Sequence, residues 1–100
     1  MIIRMFDTAI DPEDIEHAKE LFRTVIQPAF AAFEGCQGID MFMGLDNRTG
    51  ELVEVAAISR WDNREQIQTA TDSGEYSEAM TEFKKLFQNA PIVRHFEAVD

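Results

Sequence analysis

Residues 51–87, ELVEVAAISRWDNREQIQTATDSGEYSEAMTEFKKLF, read as a strand that closes on the only tryptophan of the chain, Trp61, and turns at once into a helix. Because side chains alternate along a strand, Val53, Val55, Ala57, Ser59 and Trp61 share one face, and Leu52, Glu54, Ala56, Ile58 and Arg60 share the other. Both faces carry hydrophobes. A strand apolar on both faces is normally covered on both sides. In one hundred residues a single layer of helices can cover one side, so the other calls for a partner. This one strand predicts a homodimer.

The composition bounds the rest. One hundred residues make one domain, 1–100, with a modest core. A chain that is 45% hydrophobic and 28% charged is globular. No apolar run approaches the roughly 18 residues of a membrane-crossing helix. The opening MIIRMFDTAI lacks the basic start, apolar run and cleavage site of a signal peptide, and reads as a first strand. The lone Cys36 allows no intrachain disulfide, which fits a reducing cytoplasm. Without a secretory signal the sequon Asn47-Arg48-Thr49 carries no weight. Nine Lys and Arg against nineteen Asp and Glu give a net charge of −10. That argues against nucleic acid or an anionic membrane as partner, since both demand a basic footprint. The carboxylates are scattered and read as a solvated surface.

Upstream of 51–87, the turn 46–50 has hairpin length and composition, so a strand at 39–45 pairs antiparallel with 51–60. Arg48 in that turn rules out a calcium loop. Gly35 ends a helix that opens at Asp11-Pro12-Glu13-Asp14, where Asp11 caps and Pro12 suits the first helical position. Its buried face runs through Ile15, Ala18, Phe22, Val25, Ile26 and Phe30, and Pro28 predicts a kink near 24–27. Residues 2–8 form the first strand, with Ile2, Arg4 and Phe6 alternating against Ile3, Met5 and Asp7. Downstream, Asp62-x-x-Glu65 predicts a capping box, and Asp72-Ser73-Gly74 interrupts the helix. The helix resumes through Tyr76, Met80, Phe83 and Phe87, and 92–99 is the last strand. The order β-α-β-β-α-β is a ferredoxin-like α+β fold, an antiparallel sheet of four strands with two helices on one face. Two copies packed sheet on sheet would hide the bare face as an α+β barrel.

A strand ending in Trp61, a capped helix, the break Asp72-Ser73-Gly74, then Tyr76, Met80 and Phe83, resembles the antibiotic biosynthesis monooxygenase family. Gly35-Cys36-x-Gly38 is similar to that family's turn before its second strand. The resemblance implies a dimeric α+β barrel, a superfamily that holds cofactor-free quinol-forming oxygenases, haem-degrading oxygenases, isomerases and members without known activity. Haem-degrading relatives carry Asn, Trp and His where this chain has Asp7, Ala70 and Met80, so the resemblance does not extend to haem. Cofactor-free relatives match at Trp61, but Ala57 and Ile67 stand where they carry Asn and Tyr.

The residues themselves suggest a site near Trp61. Ala57 and Ser59 are small, and space beneath the indole could be lined by Met5, Met41, Met43, Met80, Phe6, Phe42 and Phe83. These same side chains would equally fill a core. Tyr76, near the helix break, could donate to a ligand. His95, on one face with Val93 and Glu97, is the best base by its intrinsic pKa, with a structural hydrogen bond as the alternative role. Arg60 and Arg94 suit an interface or an acidic ligand group. His17 beside Glu13 and Glu20 reads as a solvated helix face, and no metal motif is present. Cys36 has no base nearby in sequence. The reading is a cofactor-free monooxygenase-like protein for a small aromatic or quinol-type substrate, with His95 and Trp61 catalytic and Trp61, Tyr76, Ala57, Ser59, Met80 and Phe83 lining the site. A small-ligand-binding member without turnover is the alternative.

Overall fold

The computed structural model describes residues 1–46 and 49–99. Four strands form one antiparallel sheet in the order β2-β3-β1-β4, with β1 at Ile2–Ile10, β2 at Cys36–Met43, β3 at Val53–Trp61 and β4 at Ile92–Glu97. One helical arm links β1 to β2: a 3₁₀ turn Pro12–Asp14, α1 Ile15–Leu21, a π-turn Phe22–Ile26 and α2 Gln27–Ala31. A second pair, α3 Arg64–Thr71 and α4 Gly74–Lys84, links β3 to β4. This is the ferredoxin-like α+β arrangement expected from the sequence, helices on one face.

The register decides which residues meet. Arg4 lies opposite Ser59, Phe6 opposite Ala57 and Thr8 opposite Val55, so these side chains share the helix-covered face. Ile39 opposite Ser59 extends that face across β2. Phe6, Ile10, Ile39, Val55 and Trp61 pack there against Phe22, Ile26, Phe30, Ile67, Met80 and Phe83 from the helices. Ile3, Met5, Ala56, Ile58, Phe42, Ile92 and Phe96 fall on the opposite face, which no helix of this chain covers.

The kink expected at Pro28 is a π-turn. Proline has no N–H to give the Thr24 carbonyl and its ring would strike that carbonyl, so the turn widens by one residue. The Gln27 N–H consequently donates to the Phe22 carbonyl, five residues back. The added residue shifts the buried face onto Phe22, Ile26 and Phe30, and leaves Val25 exposed, against the simple three-and-four spacing.

Several boundaries differ from the sequence reading. β2 starts earlier, at Cys36, through a bulge between Cys36 and Gly38, and it stops before Leu45, whose side chain is exposed. Gly38 has φ 138°, and a Cβ there would meet the Arg60 guanidinium, so glycine is required at the bulge. The N-cap of α3 is Asn63, whose Oδ1 accepts from the Gln66 N–H at 3.0 Å. Asp62 instead accepts from the Gln37 side-chain amide. At the expected break Ser73 caps α4, its hydroxyl accepting from the Tyr76 N–H at 3.1 Å. α4 ends at Lys84, because the chain turns so that Phe87 can bridge Ile10 and the Gln88 N–H can donate to the Ala9 carbonyl. The strands flanking the turn 46–50 pair antiparallel as expected, while Asn47 and Arg48, and with them the sequon and the calcium-loop position, lie outside the described residues. Among the described residues no helix is long and apolar enough to cross a membrane.

Candidate functional site

Between sheet and helices lies a small cavity of about 20 Å³, room for one water-sized group. Phe6 and Ala57 form its floor, Phe22, Ile26 and Phe30 one wall, and Tyr76, Met80 and Phe83 the other, with Ile39 and Arg4 at the margins. The π-turn supplies Phe22 and Ile26 of the first wall. Pro28 therefore acts on the site at a distance, by setting where Phe22 and Ile26 point.

Apart from Tyr76, the polar residue in this lining is Arg4. It is 7% exposed, on the even-numbered face of β1 with Phe6. Its Nη2 donates to the Tyr76 hydroxyl at 3.2 Å. The guanidinium lies 5.6 Å from the Phe6 ring centroid and 5.7 Å from that of Tyr76. Among the described residues it forms no ion pair with a carboxylate. Two cation–π contacts and the Tyr76 hydrogen bond offset part of the cost of its desolvation, and none of its other nitrogens is both fully buried and unpaired. Sequence reasoning weighed Arg60 and Arg94 and passed over Arg4, although its alternation with Ile2 and Phe6 places it on the inner face.

The residues expected to form the site divide into two groups. Ala57, Tyr76, Met80 and Phe83 come together around the cavity, joined by Phe6. Trp61 and Ser59 do not line it. Trp61 is fully buried, stacked on Phe33 at 6.3 Å between centroids and meeting Phe30 edge-on at 6.1 Å. Its indole N–H donates to the Ser59 hydroxyl at 2.8 Å. The space predicted beneath the indole is thus filled by two phenylalanines from α2 and the turn after it. Met5 and Phe42 lie on the other face of the sheet, Met41 packs at the edge of the core, and Met43 is exposed.

His95 stands directly opposite Arg4 in the β1–β4 register, partly buried on the inner side of that edge strand. Burial lowers its pKa below the usual histidine value, and the positive charges of Arg64 and Arg4 lower it further. The neutral imidazole, a proton acceptor, is therefore favoured near pH 7. Cys36 behaves oppositely to a reactive thiol. Burial raises its pKa, and the partly offsetting influences are hydrogen bonding with the Gly38 backbone and the Arg60 charge. It stays protonated. Arg60 pairs with Asp40 at 2.9 Å on the outer face, and Arg94 lies over the Phe96 ring at 4.9 Å. No three His, Cys, Asp or Glu side chains among the described residues gather as metal ligands, the His17 region included.

A wider groove of about 880 Å³ runs outside the core, between the helical arm and the α3–α4 pair. Its rim holds Glu34, Glu65, Glu75 and Glu78. An acidic rim of this kind repels anions.

Fold and interior together define a ferredoxin-like α+β protein with an aromatic-walled cavity between its two layers. The family profile described as "Antibiotic biosynthesis monooxygenase" matches residues 1–82, and the chain belongs to that family. Solved structures agree in fold. A proposed antibiotic biosynthesis monooxygenase from Bordetella bronchiseptica superposes with a TM-score of 0.81 at 15% identity, covering 98% of this chain and 96% of that one. One from Nitrosomonas europaea gives 0.80 at 11% identity, with both chains covered completely, at 100%. Rv0793 from Mycobacterium tuberculosis gives 0.74 at 17% identity, over 99% of this chain and 95% of its own. No curated protein matches the sequence.

Proposed function

We propose that this member of the family is a cofactor-independent monooxygenase for a small aromatic, quinol-type substrate, working as a homodimer in the cytoplasm. The observation that carries the reading is the cavity itself, walled by Phe6, Phe22, Phe30, Met80 and Phe83 and holding the Tyr76 hydroxyl. In such a reaction the deprotonated substrate supplies all four electrons to dioxygen. In an anthrone one oxygen atom replaces two hydrogens of a ring CH2 as a carbonyl. In a quinol it enters a ring C–H as a hydroxyl while the two O–H groups become carbonyls. In both the other oxygen leaves as water. The protein contributes a proton acceptor, dryness and room. His95, neutral and beside Arg4, is the acceptor in this reading. Trp61 acts from behind Phe30, holding the wall in place.

Oxygen uptake by the purified protein on a panel of anthrone- and naphthoquinol-type compounds, without flavin, tests the proposal. Uptake should persist after chelation with EDTA and fall at least tenfold in His95→Gln. No uptake on any compound would end the enzyme reading. The second reading, a ligand binder without turnover, is favoured by the packing that closes over Trp61, which keeps the indole from the cavity. Binding without oxygen consumption would select it.

A further inference from the structure

We propose that Arg4 is an anion anchor, and that the ligand of the inner cavity is an aromatic compound entering with an ionised oxygen, phenolate or carboxylate. This deepens the site reading above and rests on it for location alone. The guanidinium carries five N–H donors in a fixed fork. Among the described residues its side chain makes one hydrogen bond, to the Tyr76 hydroxyl, which is itself a neutral and weak acceptor. Around it lie the rings of Phe6 and Tyr76 and, across the register, His95. Its other nitrogens reach solvent at the margin of the cavity, since none is both fully buried and unpaired. Stability gives no reason to keep a charge there, since a buried charge is often replaced by an apolar side chain of similar volume without loss. An anionic oxygen would supply charge neutralisation and take the place of solvent as acceptor for these donors. Held by both the guanidinium and the Tyr76 hydroxyl, it would direct its ring toward Phe6, Phe22, Phe30 and Met80. The cavity of about 20 Å³ has no room for a ring as it stands, so entry requires these side chains, the flexible Met80 first, to move apart. For a phenol, the positive charge would also favour the ionised form, the one that reacts with oxygen. Arg4 thus selects substrates by charge, and among phenols favours those that ionise readily.

The probes are 2-naphthoate and its neutral counterpart 2-naphthylmethanol, titrated calorimetrically into the intact protein. 4-Nitrophenol, read optically in its ionised form, gives the phenolate arm. Wild type should bind naphthoate at least tenfold more tightly than the alcohol. Arg4→Met should weaken naphthoate binding by roughly ten- to a hundredfold and move the alcohol by no more than about twofold, the range expected for a charge-assisted contact. Tyr76→Phe, which removes one oxygen and leaves the ring, should give a smaller loss with the same selectivity. It keeps the test open should Arg4→Met fold poorly. Nitrophenolate following naphthoate identifies the shared anionic oxygen as the recognised group, and binding of naphthoate alone restricts the ligand to carboxylates. Equal binding of naphthoate and alcohol by wild type, indifference of naphthoate to both substitutions, or no binding of any probe would overturn the proposal. Charge-selective binding without oxygen uptake would sink the monooxygenase reading and leave the anchor standing. Uptake unaffected by Arg4→Met would do the reverse.

Discussion

A single guanidinium, a single imidazole and a single indole account for most of the chemistry near the cavity, and each behaves differently from what its residue type alone suggests. His95 is held below its ordinary pKa by burial and by Arg64 and Arg4, so folding favours its neutral form. The unfolded chain then binds this proton more readily than the folded one. Stability from His95 is fully present above the ordinary histidine value of about 6.5 and declines as pH falls through that value towards the lower folded-state pKa. The Tm of wild type should therefore drop more steeply below about pH 6.5 than that of His95→Gln, with carboxylate titration common to both. Parallel curves would show that neither burial nor the two arginines depresses the His95 pKa on folding. Trp61→Phe tests the indole. The change leaves a void beside Phe30 and Phe33 and strips the Ser59 hydroxyl of its donor, so a loss of roughly 1–3 kcal/mol is expected in urea unfolding. Arg4 was legible in the sequence through alternation with Ile2 and Phe6. The closure over Trp61 was not, because Phe30 and Phe33 reach it from far along the chain.

At the scale of elements, the chain order β-α-β-β-α-β followed from periodicity and turn signals. The two expected helices divide into α1 and α2 at the π-turn and α3 and α4 at Ser73, and the ends of elements were set by contacts that no local pattern carries. The α3 cap moved from Asp62 to Asn63 because Asp62 is engaged by Gln37, 25 residues away in sequence. The π-turn was readable as a kink from Pro28, but not as the device that turns Phe22 and Ile26 together into the cavity. Gly35 is the hinge between α2 and β2 most open to test. Its φ is 84°, and a Cβ would lie 1.9 Å from Gln66 Oε1, so both backbone and neighbour resist a side chain. Gly35→Ala should cost roughly 1–3 kcal/mol. Adding Gln66→Ala should return the part due to the clash and leave the backbone part, about 1–2 kcal/mol. Strict additivity of the two changes in denaturant titrations would mean that the side chains never meet.

The molecule as a whole leaves one face of its sheet uncovered by its own helices. Phe42 and Ile92, 52% and 60% exposed on that face, join Phe96, Ile3, Met5 and Ile58 in an apolar surface too broad to be scattered exposed hydrophobes. Asp40, Arg60 and Arg94 sit among them, the first two already paired with each other at 2.9 Å. The proposed dimer packs two such faces together, and a stable interface of this kind buries about 1,200 Å² or more in total. Its salt dependence follows from charge. Two copies carrying −10 each repel at long range, and added salt screens that repulsion without weakening apolar burial. Association should therefore tighten between low and physiological ionic strength, the opposite of an interface built on ion pairs. Phe42→Asp with Phe96→Asp, which puts charges on the β2 and β4 edges of the face, should yield a folded monomer. Sedimentation velocity at micromolar protein and two salt concentrations reads both effects, with circular dichroism confirming that the variant is folded. Wild type sedimenting as a folded monomer at both salt concentrations would leave this face without its expected partner and the α+β barrel without its second half.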